Sequence, residues 1–159
     1  MKVYDNDGVI TSTEALGMQD VPKRMVIIGG GVIGVEFASM FREAGANVEI
    51  IEMADQILPD LDRDISKDIT KQLKRQGIVI SVSSIVKEIT ETNRTLTVSY
   101  QQGDQMRCAE SDVVMLAVGR SLNIQLLHNL DLDIEQGRII TNYSMETNIK
   151  GVYAAGDIV

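Results

Sequence analysis

The sequence holds a single cysteine, Cys108, and a single histidine, His128. One thiol excludes an internal disulfide and any zinc site built on paired cysteines, and it fits a reducing compartment. One imidazole leaves little from which to assemble a catalytic metal centre. Positive charge is also scarce. Lys and Arg number 15 against 23 Asp and Glu, the formal charge is −8, and no basic cluster forms a stripe that could track a phosphate backbone. Nucleic acid and anionic membranes are therefore poor partners. No apolar run reaches the roughly 20 residues needed to span a bilayer. The opening Met1 to Thr11 is polar rather than signal-like, so a cytoplasmic protein is expected. Internal repeats and low-complexity segments are missing as well.

What is present suits one globular domain with a proper core: 159 residues, 44% hydrophobic and 24% charged. Residues 1–22 contain turn formers and Pro22 and read as an extended lead-in that meets the core only near Ala15 and Leu16. Met25 to Ile28 is a short apolar run ending in three glycines. After Gly34, Phe37, Phe41 and Ala44 recur at helical spacing until Gly45, and Val48, Ile50 and Ile51 form a second strand ending at Glu52. Asp60, Asp62 and Asp64 open a further helix with Ile65, Ile69 and Leu73 on one face, which Gly77 stops. Ile78 to Val82 is a third strand, and the alternation points to a parallel, doubly wound sheet. From Val86 the pattern changes. Val86 to Thr90, Leu96 to Tyr100 and Gln105 to Cys108 read as an antiparallel meander, Val113 to Val118 as another central strand, and Gly137 to Thr141 and Val152 to Ala155 as short strands in a loop-rich tail. The fold class is α/β, a Rossmann-like parallel sheet with helices and a β-meander.

Chemistry concentrates in Gly29-Gly30-Gly31-Val32-Ile33-Gly34, a G-x-G-x-x-G between strand and helix, with Ala38 four residues on. Gly29 permits the tight turn, Gly31 lets the backbone approach a pyrophosphate, and Gly34 with Ala38 lets helix and strand pack closely. Amides at the positive end of the helix attract the pyrophosphate. Eighteen residues past Gly34, Glu52 stands where an acid can accept hydrogen bonds from a ribose diol. A plain turn followed by a solvated carboxylate would need neither this spacing nor this context, so dinucleotide binding is the reading adopted.

Other residues carry less. Glu36 reads as a first-turn carboxylate favoured by the helix dipole. Cys108 reads as a small half-buried side chain without an activating partner, His128 as part of a polar connection, and the eight methionines as core filler.

The stretch from Val21 through Glu36 resembles the start of the NAD domain of the dihydrolipoamide dehydrogenases, in the class I pyridine nucleotide-disulfide oxidoreductase family. Thr11 to Leu16, Val48 to Glu52, the helix from Asp62 to Gly77, Ala117-Val118-Gly119-Arg120 and Gly151-Val152-Tyr153-Ala154-Ala155-Gly156-Asp157 match it in the same order. The resemblance implies that the glycine loop (Gly29, Gly30, Gly31, Val32, Ile33, Gly34) and Glu36 hold the pyrophosphate and nicotinamide end of NAD(H). It implies a ribose contact at Glu52, further cofactor contacts at Val86 and Gly119, and an FAD contact at Asp157. It also implies residues 23–150 as the NAD(H)-binding domain, with 1–22 leading in from an FAD domain and 151–159 returning toward it. The family's redox-active cysteine pair, first FAD loop and C-terminal dimerisation domain with its His-Glu pair are not in these residues, so dihydrolipoamide oxidation by NAD would need them, together with FAD, in a longer parent. A 2-oxoacid dehydrogenase complex is a further partner the resemblance suggests.

Within the same superfamily an NADH oxidase, a mercuric reductase or a transhydrogenase would have a similar NAD domain. From other classes, a methyltransferase also uses a glycine loop and a strand-end acid, although the meander and the Gly156-Asp157 ending argue against it. A free-standing NAD-sensing module is the third alternative.

Overall fold

The computed structural model describes residues 8–119, 127 and 129–159. The expectation for His128 therefore lies outside the described residues. Contacts divide the chain into two compact units, one ending at Gly119 and the other running from Arg120 to Val159.

The first unit is built on a five-stranded parallel sheet. Its strands are β1 (Val9–Thr11), β2 (Arg24–Ile28), β3 (Asn47–Ile51), β4 (Val79–Ser81) and β8 (Val113–Leu116), in the order β1-β8-β2-β3-β4. The helices are α1 (Ser12–Leu16), α2 (Val32–Glu43) and α3 (Arg63–Arg75). β5 (Ser84–Thr92), β6 (Thr95–Gln102) and β7 (Gln105–Ser111) form a separate antiparallel sheet. Its first hairpin turns on Asn93 and Arg94, both at positive φ, as a two-residue turn between twisted strands requires.

Successive side chains of a strand point to opposite faces, and the central strands divide accordingly between two cores. Met25 and Ile27 of β2, Val48 and Ile50 of β3 and Met115 of β8 pack with Ala15, Ala38, Phe41 and Leu73 of the three helices. Val26, Ile28, Ile51 and Val114 pack with Ile89, Leu96, Val98, Tyr100 and Ala109 of the meander. The sheet is thus not doubly wound by helices. Right-handed crossovers that all advance across the sheet in one direction leave their helices on one face, and the return from β4 to β8 carries the meander over the other.

The meander is also pinned by polar contacts. Tyr100 Oη donates to Glu49 Oε1 at 3.0 Å, and Ser81 Oγ donates to the same oxygen at 3.0 Å. At the opposite end of the strands, Asp112 accepts from the Arg24 backbone N–H at 3.0 Å and from Arg24 Nη2 at 2.8 Å.

Further sequence expectations are corrected. The lead-in is not merely extended, because β1 pairs in parallel with β8 and Thr11 with Glu14 forms a capping box that starts α1. Within it Ala15 is buried, but Leu16 is 75% exposed. On α3 the buried positions are Ser66 and Leu73, whereas Ile65 is exposed, since the helix turns its Ser66 hydroxyl inward to donate to Ile57 O at 2.7 Å. Met40, Met53, Met106 and Met145 are exposed, and only Met25 and Met115 count among the buried core of the described residues. Cys108 is exposed on the edge strand β7 rather than half-buried.

The second unit holds a short antiparallel pair, β9 (Ile134–Glu135) and β10 (Arg138–Ile139), joined through Gln136 and Gly137 at positive φ. Ile139 N–H donates to Ile158 O at 2.9 Å. Where Val152 to Ala155 was expected as a strand, a single bridge pairs Tyr153 with Glu146. Among the described residues no helix is long and apolar enough to cross a membrane.

Candidate functional site

Strands β8, β2 and β3 lie side by side and parallel, so the segments that follow them emerge at one edge of the sheet. From β2 the chain advances to β3 and β4, whereas β8 and β1 lie on its other side. Ligands of open α/β sheets bind beyond the carboxyl ends of the strands, the edge at which these segments emerge. Gly29 to Gly34 follow β2, Glu52 follows β3, and Ala117 to Gly119 follow β8. The topology thereby gathers most of the expected site residues at one edge.

Each glycine of the loop has a distinct reason. Gly29 adopts φ +110, and a Cβ there would lie 2.3 Å from Ala117 O, so the turn is pressed against the end of β8. Gly34 is buried in α2, where a Cβ would fall 2.0 Å from Gly29 O. Gly31 differs. It is the N-cap of α2, no side chain caps the helix there, and a Cβ would meet nothing within 4 Å. The first-turn amides therefore begin at a side-chain-free opening, a geometry that suits an anion.

Gly30 and Glu52 are coupled. The Gly30 N–H donates to Glu52 Oε2 at 2.5 Å, and the Ala54 N–H donates to Glu52 Oε1 at 2.6 Å. A Cβ on Gly30 would stand 2.9 Å from Ile57 Cγ2 and 3.1 Å from Glu52 Cβ. Gly30 O in turn accepts from Leu58 N–H at 2.7 Å, and Leu58 holds φ 50 to do so. Residues 53–58 thus fold under the glycine loop. Neither the separate task of Gly30 nor the part played by this segment is legible along the chain, because both depend on a direct hydrogen bond between residues 22 positions apart in sequence.

The remaining residues are placed as follows. Val32 is 51% exposed at the start of α2 and Ile33 is half-buried. Glu36 is exposed but is the fifth residue of α2, so the first-turn reading is corrected: the helix begins directly after Gly31 and its first turn contains no acid. Val86 lies on β5 and packs, partly buried, against the meander core, two residues after Ser84, whose N–H donates to Glu52 O at 2.9 Å. Gly119 is exposed at φ +141, with residues 120–126 beyond it outside the described residues. Asp157 belongs to the second unit, where it is exposed next to Gly156 at φ +88.

A sequence profile of the family described as pyridine nucleotide-disulphide oxidoreductase matches residues 2–159. The chain belongs to that family. A dihydrolipoyl dehydrogenase from Acholeplasma laidlawii is a family relative 41% identical over 157 residues, which cover 99% of this chain and 46% of the relative. A dihydrolipoyl dehydrogenase from Bacillus subtilis is 35% identical over 98% of this chain and 34% of its own length. Among solved structures, the Cu(II) complex of an HOCl-induced flavoprotein disulfide reductase from Escherichia coli superposes with a TM-score of 0.84 at 32% identity, covering 97% of this chain and 35% of that one. A water-forming NADH oxidase from Lactobacillus brevis bound to NADH gives a TM-score of 0.81 at 26% identity over 96% of this chain and 35% of that one. This member of the pyridine nucleotide-disulphide oxidoreductases thus spans less than half the length of the relatives it matches, and its Rossmann-like sheet with an antiparallel meander is the fold they share with it.

Proposed function

We propose that these residues form the NAD(H)-binding domain of a flavoprotein disulfide reductase of the dihydrolipoamide dehydrogenase type. The observation that carries the reading is the side-chain-free opening at Gly31 beside the Glu52 carboxylate, which the Gly30 amide already orients. In this reading residues 23–150 carry the NAD(H) site, while 1–22 and 151–159 connect it to an FAD-binding part.

The residues fit the cofactor. A pyrophosphate would lie over Gly31, where a Cβ would meet nothing within 4 Å, and be held by the first amides of α2. A carboxylate has about four acceptor sites. Glu52 uses one on each oxygen for Gly30 and Ala54, so each oxygen keeps capacity for a ribose hydroxyl without releasing the loop. Glu36, Val86 and Gly119 would line the path toward the nicotinamide, and Asp157 would contribute an edge to a flavin site. A bound nicotinamide would supply the hydride acceptor for a reduced flavin. The domain's own part is to bind and orient. In the parent, the reaction is dihydrolipoamide and NAD⁺ to lipoamide and NADH, with a 2-oxoacid dehydrogenase complex as its setting. These residues alone, with one cysteine, are inactive in that reaction.

Calorimetric titration of the 159-residue chain with NADH, an absorbance scan across the flavin bands and a dihydrolipoamide-dependent NAD reduction assay test the proposal. Saturable NADH binding without flavin absorbance or turnover is expected. No NADH binding defeats the cofactor assignment, and a yellow protein or measurable turnover defeats the division of labour. Within the family, the likeness to a water-forming NADH oxidase favours a second reading of the parent, as an oxidase rather than a dihydrolipoamide dehydrogenase.

A further inference from the structure

Glu52 is followed by ten residues, 53–62, that include no Lys or Arg, and the next cation in sequence is Arg63 at the start of α3. Sequence distance alone would remove Arg63 from the ribose end of the site. The fold brings it back. Ala54 N–H binds Glu52 Oε1 at 2.6 Å and Ala54 O accepts from Ser83 N–H at 2.7 Å, so the turn after β3 is held against the carboxylate. Asp55 is the next residue on that turn, and its Oδ2 lies 2.7 Å from Arg63 Nη2. Asp55 and Arg63 side chains are 61% and 67% exposed, so both face solvent and neither is part of the core.

We infer that Asp55 and Arg63 form a second determinant of cofactor choice, in which Asp55 occupies a guanidinium that would otherwise receive the 2′-phosphate of a phosphorylated dinucleotide. The inference rests on the NAD(H) reading, which sets the adenosine ribose at Glu52. A phosphate on that ribose would face the Glu52 carboxylate and the turn held against it by Ala54, on which Asp55 is the next residue. Arg63, the next cation in sequence, could offset these carboxylates, since a guanidinium binds phosphate through two parallel N–H donors. With Asp55 in place its charge is partly offset and its Nη2 is engaged. An exposed pair of this kind adds little to stability, so removing Asp55 leaves the fold intact while it frees Arg63. Specificity of this sort arises by arranging repulsion against the wrong ligand as much as attraction to the right one.

The test is titration with NADH and NADPH of the wild-type chain, Asp55→Ala, Arg63→Ala and the double variant, at low and at high salt. Asp55→Ala should raise NADPH affinity about twofold to fivefold, the upper part of the span expected for an exposed charge interaction. NADH affinity should stay within about twofold. The gain should vanish in the double variant and shrink at high salt. An unchanged NADPH-to-NADH ratio in Asp55→Ala overturns the inference while leaving the NAD(H) reading in place, and so does a gain that survives in the double variant. Failure of the wild-type chain to bind NADH overturns both.

Discussion

The carboxylate of Glu52 accepts the amide proton of Gly30 at 2.5 Å, so the acid that would read the ribose also holds the middle glycine of the loop. Replacing Glu52 by Ala should therefore do two things. NADH affinity should fall about ten- to a hundredfold, by the usual 1.5 to 3 kcal/mol of a hydrogen bond to a charged group. The Gly30 amide should also exchange faster with solvent in the unliganded protein, which amide hydrogen exchange by NMR would read. Loss of affinity with unchanged exchange would separate ribose contact from loop support.

The glycines make a second, sharper test. Gly34→Ala would force a Cβ to 2.0 Å from Gly29 O, and overpacking of this severity costs about 3 kcal/mol or more. Gly31→Ala meets nothing within 4 Å at φ −71 and should change stability by about 1 kcal/mol or less, the cost of a poorer N-cap. NADH affinity should nonetheless fall in Gly31→Ala, because the methyl group occupies the pyrophosphate's approach. Denaturant titration and calorimetry on the two variants would decide. A Gly31→Ala protein that binds NADH normally would move the pyrophosphate elsewhere.

Tyr100 carries a third prediction. Burial of the phenol, with the Glu49 carboxylate beside it, raises its pKa above the ordinary value. A raised folded-state pKa means that its contribution is full below about pH 10 and is lost as pH climbs from there through the folded value. Thermal melts across that range should show falling stability in the wild type. Tyr100→Phe should cost about 1 to 2 kcal/mol at neutral pH, by removing one donor from Glu49, and should flatten the alkaline decline.

At the acid end the sign reverses. The Arg24 guanidinium bound to Asp112 holds its carboxyl below the usual carboxylate range, with the Arg24 backbone amide assisting. The contribution is present above about pH 4 and is lost as pH falls from there through the folded value. Asp112→Asn should lower the melting temperature at neutral pH and reduce its dependence on pH below 4. An acid slope identical to wild type would show that other carboxylates govern it.

Local pattern made much of this protein legible. The apolar run Met25 to Ile28, the glycines after it and the helical spacing of Phe37 and Phe41 are short-range signals, and β2 and α2 stand where they indicated. The same holds for α3, whose N-cap Asp62 accepts from Asp64 N–H at 2.9 Å, and for the three meander strands with their turns. The strand at Val9–Thr11 was hidden because three residues carry too little periodicity to register, although the Thr11 and Glu14 capping box beside it was readable. Exposure was less accessible still. Cys108 and Met106 occupy an edge strand of a three-stranded sheet, and nothing in their neighbours along the chain says which face of it is covered.

Residues 24–52 are legible locally as a strand, a glycine turn, a helix and a strand ending in an acid, because those choices follow from backbone sterics and side-chain periodicity within a few residues. The strand order β1-β8-β2-β3-β4, the meander on the face opposite the helices, the seating of Gly30 on Glu52 and the pairing of Arg63 with Asp55 emerge with long-range packing. Each of these joins residues far apart in sequence. They follow from which surfaces can be buried together once the chain has crossed over, and a pattern read along the chain does not contain that information.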